Sequence, residues 1–209
     1  MKLGIPVYEG VDLLDVAGPY EMFQWVDISK GLETIILSAN GGPVTTMNGV
    51  RFEAHASFAA TPALDVLWVP GGDPKALGEI MSDPASDYLA YLRQVAAGAR
   101  WVCSVCEGAL LLARAGLLDG HRATTHWAFV DCLQRFPAID VDTTHKRFVE
   151  SGNRLTGGGI SSGLDEALKL IALLFGQETA EAVQVATQYF PEPPVAGRIP
   201  AAPPCMVKW

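Results

Sequence analysis

The chain has 209 residues, of which 49% are hydrophobic and 18% are charged. This length and composition predict one globular domain and exclude a disordered, collagen-like or coiled-coil chain. The formal net charge is −8 and the basic residues are scattered. Nucleic acid and an anionic membrane surface are therefore excluded as expected partners, because both require a basic patch.

No targeting or membrane-spanning signal is present in the sequence. Glu9 and Asp12 interrupt the apolar run that follows Lys2, and no later apolar run reaches about 18 residues. We therefore expect a soluble cytoplasmic protein. In that reducing compartment all four cysteines are expected to be thiols, and their irregular spacing argues against a disulfide framework. They are Cys103, Cys106, Cys132 and Cys205.

Short apolar runs bounded by Gly, Pro or Asp alternate with longer segments of helical period. This alternation predicts an α/β fold with a mainly parallel sheet. The runs lack a regular polar alternation, which is typical of strands covered by helices on both faces. The predicted strands are Leu3–Tyr8, Thr34–Ser38, Val66–Val69 and Trp101–Val105.

Helices and hairpins are predicted between and after these strands. The turn dipeptide Asn48-Gly49 predicts a hairpin within Gly42–Phe58, and Gly152-Asn153 predicts a second one between Arg147–Ser151 and Arg154–Gly157. The Ser82-Asp83-Pro84 sequence is read as the start of a helix. The predicted helices are Gly18–Ile28, Ser82–Ala97, Gly163–Phe175 and Glu178–Gln188.

Residues 191–209 form a proline-rich tail after the predicted domain at residues 1–190. Six of the 14 prolines fall between Pro191 and Pro204, which excludes regular helix or a central strand. The tail is either disordered or lies across a neighbouring subunit with Trp209 as an anchor. Disorder is the simpler of the two interpretations.

Cys106 follows a predicted buried strand and precedes a small-residue helical segment. A side chain on such a tight turn projects out of the sheet, and the following helix N-terminus favours a thiolate. The pattern predicts an exposed nucleophile of low pKa; an inert core cysteine is the alternative. The Cys103-x-x-Cys106 spacing also matches redox and zinc sites. Cys103 lies inside the strand, however, and no second ligand pair follows, so neither is favoured.

Glycines and a carboxylate follow two other predicted strands. Gly71 and Gly72 could bring backbone N–H groups close to a substrate and, with the N–H of Glu107, form an oxyanion-hole donor set. A plain turn is the alternative. Asp15 lies among apolar neighbours, which indicates either a helix cap or a partly desolvated catalytic carboxylate.

His126 is predicted at another strand end and could orient or deprotonate Cys106, although a structural histidine beside Trp127 is the simpler interpretation. The glycine cluster at residues 157–163 lacks the third glycine of a dinucleotide fingerprint, and no phosphate-binding loop is present. We therefore predict no cofactor and no metal. The cluster is expected to lead into the next helix.

Five motifs, taken together, resemble the DJ-1/PfpI superfamily, and most nearly its isocyanide hydratase branch. They occur in order over about residues 3–188 and lie around Asp15-x-x-Gly18-Pro19, Val69-Pro70-Gly71-Gly72, Ser104-Val105-Cys106-x-Gly108, Ala123-Thr124-Thr125-His126-Trp127 and Leu155-Thr156-Gly157-Gly158-Gly159-Ile160. The resemblance implies a flavodoxin-like three-layer sandwich of the class I glutamine-amidotransferase type, and a homodimer.

The resemblance also implies roles for individual residues. Cys106 would be the nucleophile, Asp15 the general acid and base near its sulfur, and Gly71, Gly72 and Glu107 the backbone donors. Thr125, His126 and Gly159 would surround this group. The implied reaction is attack on the terminal carbon of an isocyanide to give a thioimidate, which water converts to an N-substituted formamide.

The residue after the nucleophile departs from the pattern. Hydratases of that branch carry Thr there and PfpI-type proteases carry His, whereas this chain has Glu107. The missing histidine makes protease activity the weaker hypothesis. An acidic neighbour also disfavours a thiolate if it points toward the sulfur. Two other functions stay open: a redox sensor in which Cys106 is oxidised, and a non-catalytic ligand-binding module related to GlxA-like regulators.

Overall fold

The computed structural model describes residues 1–209 and contains a central seven-stranded sheet. The strands of the chain are β1 (Lys2–Pro6), β2 (Glu33–Ser38), β3 (Val44–Thr45), β4 (Arg51–Phe52), β5 (Ala56–Ser57), β6 (Val66–Val69), β7 (Trp101–Ser104), β8 (Arg122–Ala123), β9 (Asp140–Val141), β10 (Phe148–Ser151) and β11 (Arg154–Gly157). The sheet order is β10-β11-β7-β6-β1-β2-β5, and only β10 runs antiparallel.

Helices cover both faces of this sheet. They are α1 (Leu13–Gln24), α2 (Pro74–Ser82), α3 (Asp87–Ala96), α4 (Gly108–Arg114), α5 (Val130–Leu133), α6 (Ser162–Phe175) and α7 (Gln177–Ala186). Helices α1 and α7 pack against α6, whereas α2, α3 and α4 contact one another. The fold is a single-domain, flavodoxin-like α/β sandwich, which confirms the predicted fold class.

The four predicted strands are all present, and their ends differ from the predicted ones by at most two residues. Every residue of β6 is buried, including Trp68, which agrees with strands covered on both faces. Pro6 is the last residue of β1, so its missing N–H interrupts no ladder within the strand. Both predicted hairpins are also confirmed, as β3–β4 and β10–β11, with Gly49 and Gly152 in the left-handed region.

Two helix predictions are wrong. The first helix begins at Leu13 rather than Gly18, because the side chain of Asp12 accepts the Leu14 N–H at 2.9 Å and caps it. The segment Ser82–Ala97 is not one helix: α2 ends at Ser82, and α3 is capped by Ser86. The Asp-Pro pair at 83–84 ends one helix instead of starting the next, because the residue before a proline disfavours helical geometry.

The proline-rich tail has no regular structure but folds back onto its own chain. Val207 is buried, and the Trp209 ring stacks on Phe136 at 5.8 Å between centroids. Cys205 forms a disulfide with Cys132 of α5, with 4.7 Å between Cα atoms, so the prediction of four free thiols is wrong. Their sequence separation of 73 residues carries no signal, because the contact depends on the path of an irregular segment. No helix is long and apolar enough to cross a membrane.

Candidate active site

Cys106 lies on the turn between β7 and α4. Its φ is +55°, in the left-handed region that non-glycine residues rarely adopt. Hydrogen bonds hold the turn: the Cys106 N–H donates to the Gly158 carbonyl at 2.9 Å, and the Thr125 hydroxyl donates to the Cys106 carbonyl at 2.8 Å. A Cβ at Gly108 would lie 2.8 Å from the carbonyl carbon of Val69, so the start of α4 must be glycine to approach β6 this closely.

The Cys106 thiol differs from the exposed, low-pKa group expected from the sequence. The residue is only 1% exposed. Burial raises the pKa of this thiol well above its ordinary value, and the carboxylates of Asp15 and Glu107 raise that pKa further. The backbone N–H of Ile160 lies near the sulfur and opposes the shift in pKa. At neutral pH the resting residue is therefore a thiol rather than a thiolate.

Asp15 lies in the first turn of α1 with its side chain fully buried. Its Oδ2 accepts the Gly71 N–H at 2.8 Å, while Oδ1 has no hydrogen-bond partner. The capping interpretation does not hold, since Asp12 caps the helix. Burial raises the pKa of Asp15 well above its ordinary value, and the charges of Glu107 and Asp12 act in the same direction.

Glu107 turns its carboxylate back into the site, where only 6% of the residue is exposed. The Cys106 thiol and the backbone N–H groups of Glu107 and Gly72 lie near this carboxylate. Burial raises the pKa of Glu107 to about 7. Of the predicted oxyanion donors, the Gly71 N–H is occupied by Asp15, and the N–H groups of Gly72 and Glu107 lie near the Glu107 carboxylate.

Asp15, Cys106 and Glu107 form one buried cluster, in which one ligand atom of each residue lies within 4.8 Å of the others. Three negative charges at this separation in a desolvated site would repel strongly, which explains why burial and mutual charge keep protons on the cluster. These atoms are also the ones that could bind a metal ion, which would have to displace those protons.

The remaining predicted residues surround this cluster. The Nδ1 of His126 accepts the Ala128 N–H at 3.3 Å and lies 3.9 Å from Glu107 Oε1, so the ring approaches the glutamate. Burial lowers the pKa of His126, which leaves the ring neutral at pH 7. Gly159 packs against this ring: a Cβ there would lie 3.0 Å from His126 Nε2.

Sequence reasoning missed two residues of the site. Ile160 has a φ of +26° and its backbone N–H lies near the Cys106 sulfur; its only sequence signal was the preceding glycine run. Glu166 is fully buried on α6, and neither carboxylate oxygen has a hydrogen-bond partner. Burial raises its pKa well above the ordinary value, and the charge of Asp15 adds to the shift. Its position on the apolar face of a predicted helix was a signal that could have found it.

A cavity of about 260 Å³ adjoins the loops that hold Cys106. It is lined by Thr125, His126, Trp127, His145, Arg147, Gly158, Gly159, Ile160, Ser162 and Ile199. All but one of these residues belong to the segments that follow β8, β9 and β11 and to the start of α6. The exception is Ile199, which comes from the proline-rich tail.

The chain is similar to known proteins over most of its length. Residues 1–173 match the model of the DJ-1/PfpI family. The isonitrile hydratase of Pseudomonas putida is 39% identical over 207 residues, which cover 99% of this chain and 86% of that protein. The transcriptional regulator CdhR of Pseudomonas aeruginosa is 33% identical over 78% of this chain but only 45% of its own length.

Solved structures show the same likeness. A ThiJ/PfpI family protein from Pseudomonas syringae superposes with a TM-score of 0.85 at 36% identity, covering 97% of this chain and 81% of that one. The oxidized DJ-1 of Toxoplasma gondii, at 23% identity and a TM-score of 0.74, shares the fold. The chain thus belongs to the DJ-1/PfpI family, as the five sequence motifs indicated.

Proposed function

We propose that this protein is a cysteine-dependent enzyme that hydrates an isocyanide to an N-substituted formamide, with Cys106 as its nucleophile. The observation that carries the proposal is the buried cluster of one thiol and two protonatable carboxyl groups within 4.8 Å. The likeness to an isonitrile hydratase over 99% of the chain supports the same reaction. A homodimer and a cytoplasmic location remain expectations.

The chemistry suits a thiol that keeps its proton at rest. Addition to an isocyanide places both the sulfur and a proton on the same terminal carbon. As the S–C bond forms, the thiol proton passes to the Glu107 carboxylate and from there to that carbon, giving Cys106–S–CH=N–R. A group whose pKa is about 7 can both accept and donate a proton at neutral pH.

Asp15 serves the second half of the reaction as general acid and base. It takes a proton from the attacking water and delivers one to the nitrogen, which gives Cys106–S–CH(OH)–NH–R. Its Oδ2 is held by Gly71, and its unpartnered Oδ1 is free for this exchange. The C–S bond then breaks, the sulfur regains its proton from the hydroxyl through a carboxyl group, and the formamide leaves.

Other functions receive less support. Oxidation to a sulfenic acid requires a thiolate, and the raised pKa of Cys106 disfavours one, which weighs against a redox sensor. Proteolysis would need a base such as a histidine beside the thiol, and position 107 is a glutamate. The related regulators match over about half of their length, and no side chain of the site favours a purely ligand-binding role.

The test follows formamide production in the ultraviolet with a panel of alkyl and aryl isocyanides. We expect turnover by the wild type, none by Cys106→Ala, and at least about a 100-fold loss in Asp15→Asn, since a positioned proton-transfer group contributes roughly 10²–10⁴-fold.

The matched control is Cys103→Ala, which removes the other free cysteine, one that lies within β7. This variant should retain turnover. Turnover that survives in Cys106→Ala would refute the proposal, as would a wild type inactive on every isocyanide of the panel.

A further inference from the structure

The end of the proline-rich tail is attached to the domain around α5. Besides the Cys132–Cys205 disulfide, the Cys205 N–H donates to the Asp131 carboxylate at 2.7 Å. The guanidinium of Arg135 lies 5.6 Å from the centre of the Trp209 ring, which also stacks on Phe136. These contacts fix residues 205–209 although that segment has no helix or strand.

The preceding stretch, residues 191–204, is held only at its ends. It makes no hydrogen bond and no salt bridge, and most of its residues are exposed. On the N-terminal side, the Tyr189 hydroxyl donates to Asp165 at 3.1 Å, and on the C-terminal side the first attachment is Cys205. Six prolines restrict the backbone between these points, so the stretch behaves as a stiff strap.

The strap passes over the cavity beside the candidate nucleophile. Ile199 lines that cavity together with Trp127 and Ile160, and 53% of the isoleucine is exposed. Gly158 and Thr125 also line the cavity, and both hydrogen-bond to the backbone of Cys106. The tail therefore supplies one apolar wall of a cavity that adjoins the turn carrying Cys106.

We propose that Ile199 is a specificity-determining residue, and that the Cys132–Cys205 disulfide positions it by tying down the strap. This inference rests on the proposed function for its substrate class: isocyanides with a small apolar substituent packed between Ile199, Ile160 and Trp127. A dithiol reductant would release the strap and with it Ile199. The reductant breaks the S–S bond, gives a thiol at each cysteine and is itself oxidised to a cyclic disulfide.

The first measurement needs no isocyanide. All proteins carry Cys103→Ala. Cys106 is then the single free thiol, both in the protein that keeps the disulfide and in the one that also carries Cys132→Ala/Cys205→Ala. Its alkylation by small iodoacetamide and by bulky N-cyclohexylmaleimide is followed by intact mass. We expect the bulky-to-small rate ratio to rise at least about threefold in Ile199→Ala and in the disulfide-free variant, and to fall in Ile199→Trp.

The matched control is Val195→Ala, on the same strap but outside the cavity lining and 78% exposed. Its rate ratio should equal that of the starting protein. Equal rate ratios in all variants would overturn the inference. Misfolding is not expected in Ile199→Ala, because the side chain that it removes is half-exposed. Isocyanide turnover separates the two proposals. Turnover with an unchanged alkylation rate ratio would refute only the role of Ile199. A changed rate ratio without turnover would refute only the proposed reaction. If both hold, Ile199→Ala should lower KM for bulky isocyanides more than KM for small ones.

Discussion

At Cys106 the protein favours a protonated thiol over a thiolate. Burial opposes any charge there, and Asp15 and Glu107 oppose a negative one in particular. The reactivity of the residue then depends on a neighbour that takes the proton while the sulfur forms its bond. In the proposed mechanism Glu107 meets this requirement, because its carboxylate lies within 4.8 Å of the sulfur and its pKa is about 7.

The raised pKa of Glu107 makes stability depend on pH. Its pKa is about 7 in the folded protein against 4.5 when solvated, so the folded state binds the proton more tightly between these values. The associated stability is fully present below about pH 4.5 and is lost as the pH rises through 7. We expect the unfolding free energy of the wild type to fall over this range, by at most about 3 kcal/mol relative to Glu107→Gln.

Urea unfolding of both proteins at a series of pH values measures this difference. Glu79→Gln is the control, since Glu79 is an exposed glutamate on α2 and its variant should follow the wild type. Parallel curves for the wild type and Glu107→Gln would show that Glu107 is ionised at its ordinary pKa in the folded protein.

Several residues of the candidate site could be singled out from the sequence, whereas Ile160, Glu166 and the mutual geometry of the group could not. Cys106 and Asp15 could be singled out from their surroundings. A thiol after a buried strand and a carboxylate among apolar residues each cost free energy on burial, which indicates a structural or functional role. Glu107 entered the prediction through its backbone N–H, and only coordinates show that its side chain folds back onto that N–H and the one of Gly72.

At the level of elements, buried strands were predictable and helix ends were not. The run Val66–Val69 is apolar throughout because helices cover both faces, and this leaves a clear signal. Asp12 and the Asp83-Pro84 pair belong to residue types that occur at both starts and stops of helices. Local sequence could not distinguish between these uses. The packing of α2 and α3 against α4 also contributes to where these helices end.

The turn after β6 depends on a glycine for a steric reason. A Cβ at Gly71 would lie 2.7 Å from the Glu107 nitrogen and 3.0 Å from Asp15 Oδ2, closer than normal contacts allow. We expect Gly71→Ala to lower the unfolding free energy by about 1–3 kcal/mol and to abolish turnover, because the two carboxyl groups must move apart.

Chemical unfolding and formamide production test this expectation together. Gly98→Ala is the matched control, since a Cβ there meets nothing within 4 Å and the backbone is not left-handed. Its stability should stay equal or rise by up to about 1 kcal/mol. A Gly71→Ala protein as stable and active as the wild type would show that the turn tolerates a side chain.

For the whole molecule, the alternation of strands and helices predicted the α/β class, and the five motifs predicted the family. The tail was beyond such reasoning. Its attachment depends on Cys205 meeting Cys132 and on Trp209 meeting Phe136, contacts that have no sequence period. Composition identified only the absence of regular structure in residues 191–209.

The tail disulfide makes stability depend on the redox state of the surroundings. It closes a loop spanning 73 residues, and a cross-link of that length restricts the unfolded chain by about 4 kcal/mol in the chain-entropy model. Because the bond attaches a peripheral segment, part of the domain can unfold while the tail remains bonded to α5. This makes the expected loss of stability equal to or smaller than that value. We therefore expect Cys132→Ala/Cys205→Ala to lower the unfolding free energy by roughly 2–4 kcal/mol.

A dithiol reductant provides the internal control for this prediction. It should lower the melting temperature of the wild type to that of the disulfide-free variant and leave the variant itself unchanged. Cys103→Ala should respond as the wild type does, because Cys103 is a free thiol within the sheet. The contrary outcome is a wild type whose melting temperature does not change with the reductant although mass spectrometry shows that both cysteines are reduced. It would mean that the other contacts of Val207 and Trp209 hold the tail without the covalent bond.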